Sequence, residues 1–140
     1  MKPPCIIVVN YLLPAIRILI AKELIEKHGL NRIEAAKRMG LTPAAITQYF
    51  KRVRGESALK IIEIPDEASR VISEIAEEIA EDRASAYDIL KRICRICWMM
   101  RSKGLLCEAH REILPALRED EICEREFRFP LKYCLKNQLE

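Results

Sequence analysis

Apolar residues recur at helical spacing along most of the chain, and where the pattern breaks the sequence supplies turn chemistry. Ile16, Leu19, Ile20, Leu24 and Ile25 predict a first helix that ends near Lys27, with Glu23 and Lys27 placed to pair across one turn. Residues 1–9 read as extended, with Asn10 as the N-cap and Pro14 tolerated in the first turn. His28 suits the negative end of this helix and Gly29 closes it. Residues 31–39 predict a second helix with Ala35, Ala36 and Met39 on its apolar face. Gly40 follows where the backbone must turn, Leu41 returns to the core, and Thr42 and Pro43 are good N-cap and first-turn residues for a third helix. That helix buries Ile46, Tyr49 and Phe50.

Residues 54–64 read as a connection, in which LKIIEI at 59–64 fits a short strand, a helical turn or a packed linker. Pro65 and Asp66 then open a helix to about Asp82. Ala68, Val71, Ile72, Ile75, Ala76 and Ile79 form its apolar stripe, opposite Glu67, Glu74, Glu77, Glu78 and Glu81. The glutamates read as a solvated face, and the stripe is both core and a candidate dimer surface. Ser85 with Asp88 resembles a capping box and opens a helix to about Ser102, carrying Leu90, Ile93, Cys94, Cys97, Trp98 and Met100. Gly104 ends it, and residues 111–140, broken by Pro115 and Pro130, read as partly helical. The expected fold class is all-α: a helix-turn-helix domain at 1–58, then a helical, cysteine-containing region at 59–140 for dimerisation or for metal or redox sensing.

Charge sharpens the picture of the front half. The net charge of +3 conceals an asymmetry: residues 1–60 hold eleven Lys and Arg against four Glu, whereas the remaining eighty carry an excess of four acids. A basic front half is the electrostatic footprint of a nucleic-acid binder, confined here to one end of the chain. The sequence GLNRIEAAKRMGLTPAAITQYFKRVRG, residues 29–55, supplies the matching geometry. On its second helix Ala44, Thr47, Gln48 and Lys51 share the face opposite Ile46, and Thr42 stands at the start. Early residues of a recognition helix meet base edges in the major groove. Gln pairs with adenine, and Ala or the Thr methyl packs on the thymine methyl, so Thr42, Ala44, Thr47 and Gln48 are the candidate base readers. Lys51, Arg52 and Arg54 suit phosphates. An ordinary helical hairpin has the same alternation of faces and is the competing reading.

Residues 1–55 resemble helix-turn-helix regulators of the Cro/repressor (XRE-type) class, and the whole chain is similar to small archaeal predicted transcriptional regulators. The likeness rests on KPPC at 2–5, LPAIRILIAKELIEKHGL at 13–30, EAAKRMGLTPAAITQYFKRVRG at 34–55 and ICRICWMMRSKGLLCEAHR at 93–111. The resemblance implies double-stranded DNA as partner and a homodimer on paired half-sites. In that class the first helix of the motif often starts with Gln; here Arg32 stands there, which keeps a phosphate contact and removes the amide.

The second chemical feature is Cys94-x2-Cys97-x9-Cys107-x2-His110. Three thiols and an imidazole in seventeen residues fit a tetrahedral zinc site. Cys94 and Cys97 would share a helix face, and a bend over 101–104 would return Cys107 and His110 to them, with Arg95, Arg101 and Lys103 favouring thiolates. An iron–sulfur cluster is the alternative, with Cys5, Cys123 or Cys134 in place of His110. Packed thiols with no metal are the third reading, because free Cys is among the most buried residue types. No Gly-rich phosphate loop, nucleophile elbow or HExxH occurs, so no enzyme is expected. The apolar start is interrupted by Asn10, Pro14 and Arg17, which argues against a membrane span and for a cytoplasmic protein. The expected function is sequence-specific transcriptional regulation, with the cysteine site as a candidate for metal or redox response. The alternative is a helical interaction or adaptor module that keeps the helix-turn-helix shape without reading DNA.

Overall fold

Pro14 has no amide hydrogen to give the carbonyl of Asn10, and the chain answers with a π-helical turn over Val8–Leu12 ahead of helix α1 (Leu13–Glu26). The expected N-cap at Asn10 is therefore corrected. Asn10 lies inside the π turn, and Ile7 is already right-handed helical. The wider turn suits the burial of both Ile7 and Leu12. The computed structural model describes residues 7–51, 62–106 and 109. The extended reading of residues 1–6, most of the connection after Lys51, and the tail from 110 onward lie outside the described residues.

All regular structure among the described residues is helical: α1, α2 (Arg32–Met39), α3 (Pro43–Phe50), α4 (Asp66–Ala80) and α5 (Ala86–Ser102). Helix α1 is the centre because it is apolar on almost every side, with Ala15, Ile16, Ile18, Ile20, Ala21 and Leu24 all buried. Helix α4 lies along it more extensively than any other element, while α2 and α3 meet it through a smaller surface. Ile16, Ile20 and Leu24 share one core with Ile72, Ile75 and Ala76 of α4 and with Ile96 and Met100 of α5. A second, smaller cluster of Ala21, Ala36 and Ile46 sits beneath α2 and α3. Its small alanines let the helices approach closely. Ile25 and Met39 pack against both clusters, so the motif is seated on the main core.

One expectation for α4 is corrected and the other holds for most of its residues. Its apolar stripe is covered by α1 within the same chain, with Ala68, Ile72, Ile75, Ala76 and Ile79 all buried, so it offers no dimer surface. Its acidic face is solvated as expected at Glu67, Glu74, Glu77 and Glu81, all exposed, while Glu78 is half-buried. Glu78 accepts from Arg92 at 2.7 Å, Glu67 from Lys103 at 3.0 Å, and Glu81 pairs with Arg83. Arg92 and Lys103 tie α4 to α5 and the turn after it. A further tie is the Ser73 hydroxyl, which donates to Glu23 of α1 at 2.6 Å. Glu23 also accepts from Lys27 at 3.3 Å, the pair expected from their spacing. Of the 59–64 stretch, Ile62 is buried and residues 62–65 form no strand, which matches a packed linker there.

Ser85 caps α5 as expected, and Asp88 reaches back to its hydroxyl. Ser85 Oγ accepts from the Asp88 amide at 3.1 Å and donates to the Asp88 carboxylate at 2.6 Å. Lys103 and Gly104 make the bend, with Gly104 at φ +73°, and the chain resumes as helix at Leu105. Leu106 and Ala109 are buried, so this segment turns back onto the core.

Candidate nucleic-acid interface

The α2–turn–α3 unit is fixed by backbone chemistry at each boundary. Asn31 caps α2 by accepting from the Glu34 amide at 2.8 Å. At the far end Gly40 adopts φ +67° and its amide donates to Lys37 O at 3.2 Å, while the Leu41 amide donates to Ala36 O at 2.8 Å. These two bonds are a Schellman motif, and Leu41 packs onto the Ala36 cluster as its hydrophobic closure. Thr42 then caps α3, its hydroxyl accepting from the Ala45 amide at 3.2 Å, with Pro43 as first residue. The turn is only Gly40 to Thr42 long, so its geometry leaves little freedom between the helices.

Ile46 anchors α3 from its inner side and is wholly buried. Tyr49 and Phe50, expected to be buried, are only partly so and pack at the edge of the small cluster. On the outer side Thr42, Ala44, Gln48 and Lys51 are exposed and Thr47 is half-buried. Positions 44, 47, 48 and 51 follow three- and four-residue steps and so line one face of the helix. Arg32 stands with its guanidinium carbon 5.2 Å from the Phe50 ring centre, a cation–π contact. It holds the cation next to the last turn of α3, the end that carries Lys51. Arg52 and Arg54 lie outside the described residues.

Arg38 does something that the charge count did not separate from phosphate binding. Its Nε donates to Glu34 at 2.9 Å, and its Nη1 donates to the carbonyls of Ile79 at 3.0 Å and Ala80 at 2.6 Å. The bond from Arg38 holds the Glu34 carboxyl below the usual carboxylate range; local desolvation opposes this, and the charges of Arg38 and Lys37 add to it. Glu34 therefore spends its carboxylate on Arg38. The only sign in the sequence was the i,i+4 spacing of Glu34 and Arg38; the contact to α4, some forty residues away, carries none.

Of the expected metal ligands the described residues include Cys94, which is exposed, and Cys97, which packs against the main core. Both lie on α5, a step of three apart, and the expected bend follows them. Cys107 and His110 lie outside the described residues, as do Cys5, Cys123 and Cys134. Among the described residues no three His, Cys, Asp or Glu side chains gather as a metal site. No described helix is long and apolar enough to cross a membrane. Helix α5 also shows Tyr87, Leu90 and Trp98 exposed at 67%, 61% and 43%, at helical steps of three and eight with Cys94 between them. No family model, curated protein or solved structure matches the chain.

Proposed function

We propose that the chain is a sequence-specific DNA-binding transcriptional regulator. The observation that supports this best is the outer face of α3: an exposed row of Ala44, Gln48 and Lys51, beginning at Thr42, on a helix whose inner face is pinned by Ile46. A helix presented in this way can enter a major groove with an amide for adenine and small apolar groups for thymine methyls. Lys51, Arg32, Arg52 and Arg54 hold phosphates in this reading, and residues from 59 onward dimerise or sense. Selection of bound duplexes from a random pool tests it. A recovered motif that Gln48→Ala relaxes at one base position supports the reading, and an unenriched pool overturns it.

A homodimer on paired half-sites belongs to the same proposal, and with the α4 stripe buried, the exposed row on α5 is the surface for it. That row also favours a second reading, an adaptor module that binds another protein and leaves DNA alone. Salt-sensitive, sequence-selective duplex binding separates the two.

The cysteines carry the sensory part of the proposal: a zinc site of Cys94, Cys97, Cys107 and His110, with an iron–sulfur cluster or no metal as the other outcomes. Metal analysis of anaerobically purified protein decides among them. Loss of bound zinc in Cys94→Ala supports the four-ligand set, and unchanged metal content rejects it.

A further inference from the structure

A cleft of about 400 Å³ opens where α2, the C-terminal end of α4 and the start of α5 meet, beside the Arg38 contact. The volume is in the range of small-molecule sites. Its walls are apolar, chiefly Ile20, Met39, Ile79, Ile89 and Ile93, whereas its polar groups are all cations: Arg17, Lys37 and Arg38. The lining contains no carboxylate. Arg17 and Lys37 are exposed, and neither is held in a salt bridge to a described residue. Ala84 and Ala86 line the same cleft around the N-terminus of the seventeen-residue α5, whose dipole adds positive potential. The opposing negative end of α4 is occupied by Arg38.

We infer that this cleft binds an apolar monoanion, a small aliphatic or aromatic carboxylate, with its hydrocarbon against the isoleucines and its charge toward Arg17 and Lys37. A cation would meet the like charges of Arg17 and Lys37 here, and a neutral hydrocarbon would leave the rim unused. As a binding site the cleft stands apart from DNA reading; as an effector site it rests on the proposed regulator. Its floor is shared between the helix-turn-helix (Met39, Gly40) and the α4–α5 junction (Ile79, Ile89), so an occupant touches both sides of the Arg38 contact. A ligand that favours one spacing of those parts shifts the orientation of α2 and α3 by its differential affinity for the two arrangements.

Titration calorimetry of the full chain with sodium decanoate, without DNA, tests the site. Decan-1-ol and decyltrimethylammonium serve as charge controls. The expected result is saturable one-to-one binding of decanoate, at least tenfold tighter than either control. Arg17→Glu should weaken it about tenfold, and Ile93→Trp should fill the cleft and abolish it, each with an unchanged far-ultraviolet dichroism spectrum. If Ile93→Trp does not fold, Arg17→Glu decides alone, because its side chain is exposed. Absence of saturable binding, equal binding of all three probes, or indifference to Arg17→Glu overturns the site. The effector role is read from the DNA dissociation constant with and without decanoate. Decanoate binding that leaves that constant unchanged overturns the effector role, whereas failure of the ligand-free protein to bind any duplex sinks the regulator reading instead.

Discussion

Arg38 of α2 donates to the carbonyl of Ala80, the last residue of α4, at 2.6 Å. The end of α4 explains why. Asp82 adopts φ +55°; its amide donates to Ile79 O at 3.2 Å, and the Arg83 amide donates to Glu78 O at 2.9 Å. That is a second Schellman motif, and it leaves the Ala80 carbonyl to Arg38. A cation at the negative end of a helix thereby links the α2–turn–α3 unit to the longest interface in the fold. Arg38→Ala should cost about 2 kcal/mol in denaturant unfolding, in the range for hydrogen bonds to charged groups. Arg38→Lys should recover only part, because an ammonium cannot serve Glu34 and two carbonyls from one planar fork.

The left-handed helix ends at Gly40 and Asp82 respond to substitution in opposite directions. A β-carbon on Gly40 meets nothing within 4 Å, so Gly40→Ala is penalised by its backbone angle alone, about 1–2 kcal/mol. Gly40→Asn should cost less, because Asn tolerates that conformation. At Asp82 the residue is already strained and is also an anion at the negative end of α4. Asp82→Gly should therefore stabilise, by roughly 0.5–1 kcal/mol. Thermal unfolding of the three variants checks the order.

Local chemistry was the legible part of this chain. Gly40, Thr42, Pro43, Ser85 and Gly104 act where the sequence placed them, because caps and left-handed turns depend on neighbours within a few residues. The all-helical class of the described residues follows from the same signals. The failures have nonlocal causes. The stripe on α4 stood as both core and a candidate dimer surface because its period says that it is buried but not by what, and α1 covers it. Arg38 was only one of eleven front-half cations, and its bonds to α4 left no mark in the sequence. Asn10 looked like a cap because Pro14 was weighed only for the turn that it enters and not for the carbonyl that it leaves behind. For the candidate interface, the exposed face of α3 was legible from spacing, while the stacking of Arg32 on Phe50 was not.

Acid should weaken the motif at its first helix. The Glu34 carboxyl is held below its ordinary range by Arg38, so its contribution is complete above the unfolded-state value and is lost as the pH falls through the lower folded value. Wild-type stability should fall with acidification in that window more steeply than that of Glu34→Gln. Parallel pH profiles of the two would show instead that the Arg38 bond to Glu34 contributes nothing.

Trp98 and Leu90 test the proposed homodimer. If the exposed row of α5 is the dimer face, Leu90→Glu with Trp98→Glu should convert a dimer to a monomer in sedimentation equilibrium without loss of helicity. An unchanged dimer moves the interface elsewhere.

The most direct measurement is the salt dependence of binding to a selected duplex and to a scrambled one, by fluorescence anisotropy. If Arg32, Lys51, Arg52 and Arg54 each neutralise one phosphate, the logarithm of affinity should fall against the logarithm of salt with a slope near −3.6 per protomer. Lys51→Ala should make that slope shallower by about one, and Gln48→Ala should leave it unchanged while narrowing the gap between the two duplexes. Equal affinity for both duplexes at every salt concentration, or no binding at low salt, would contradict a base-reading role for α3.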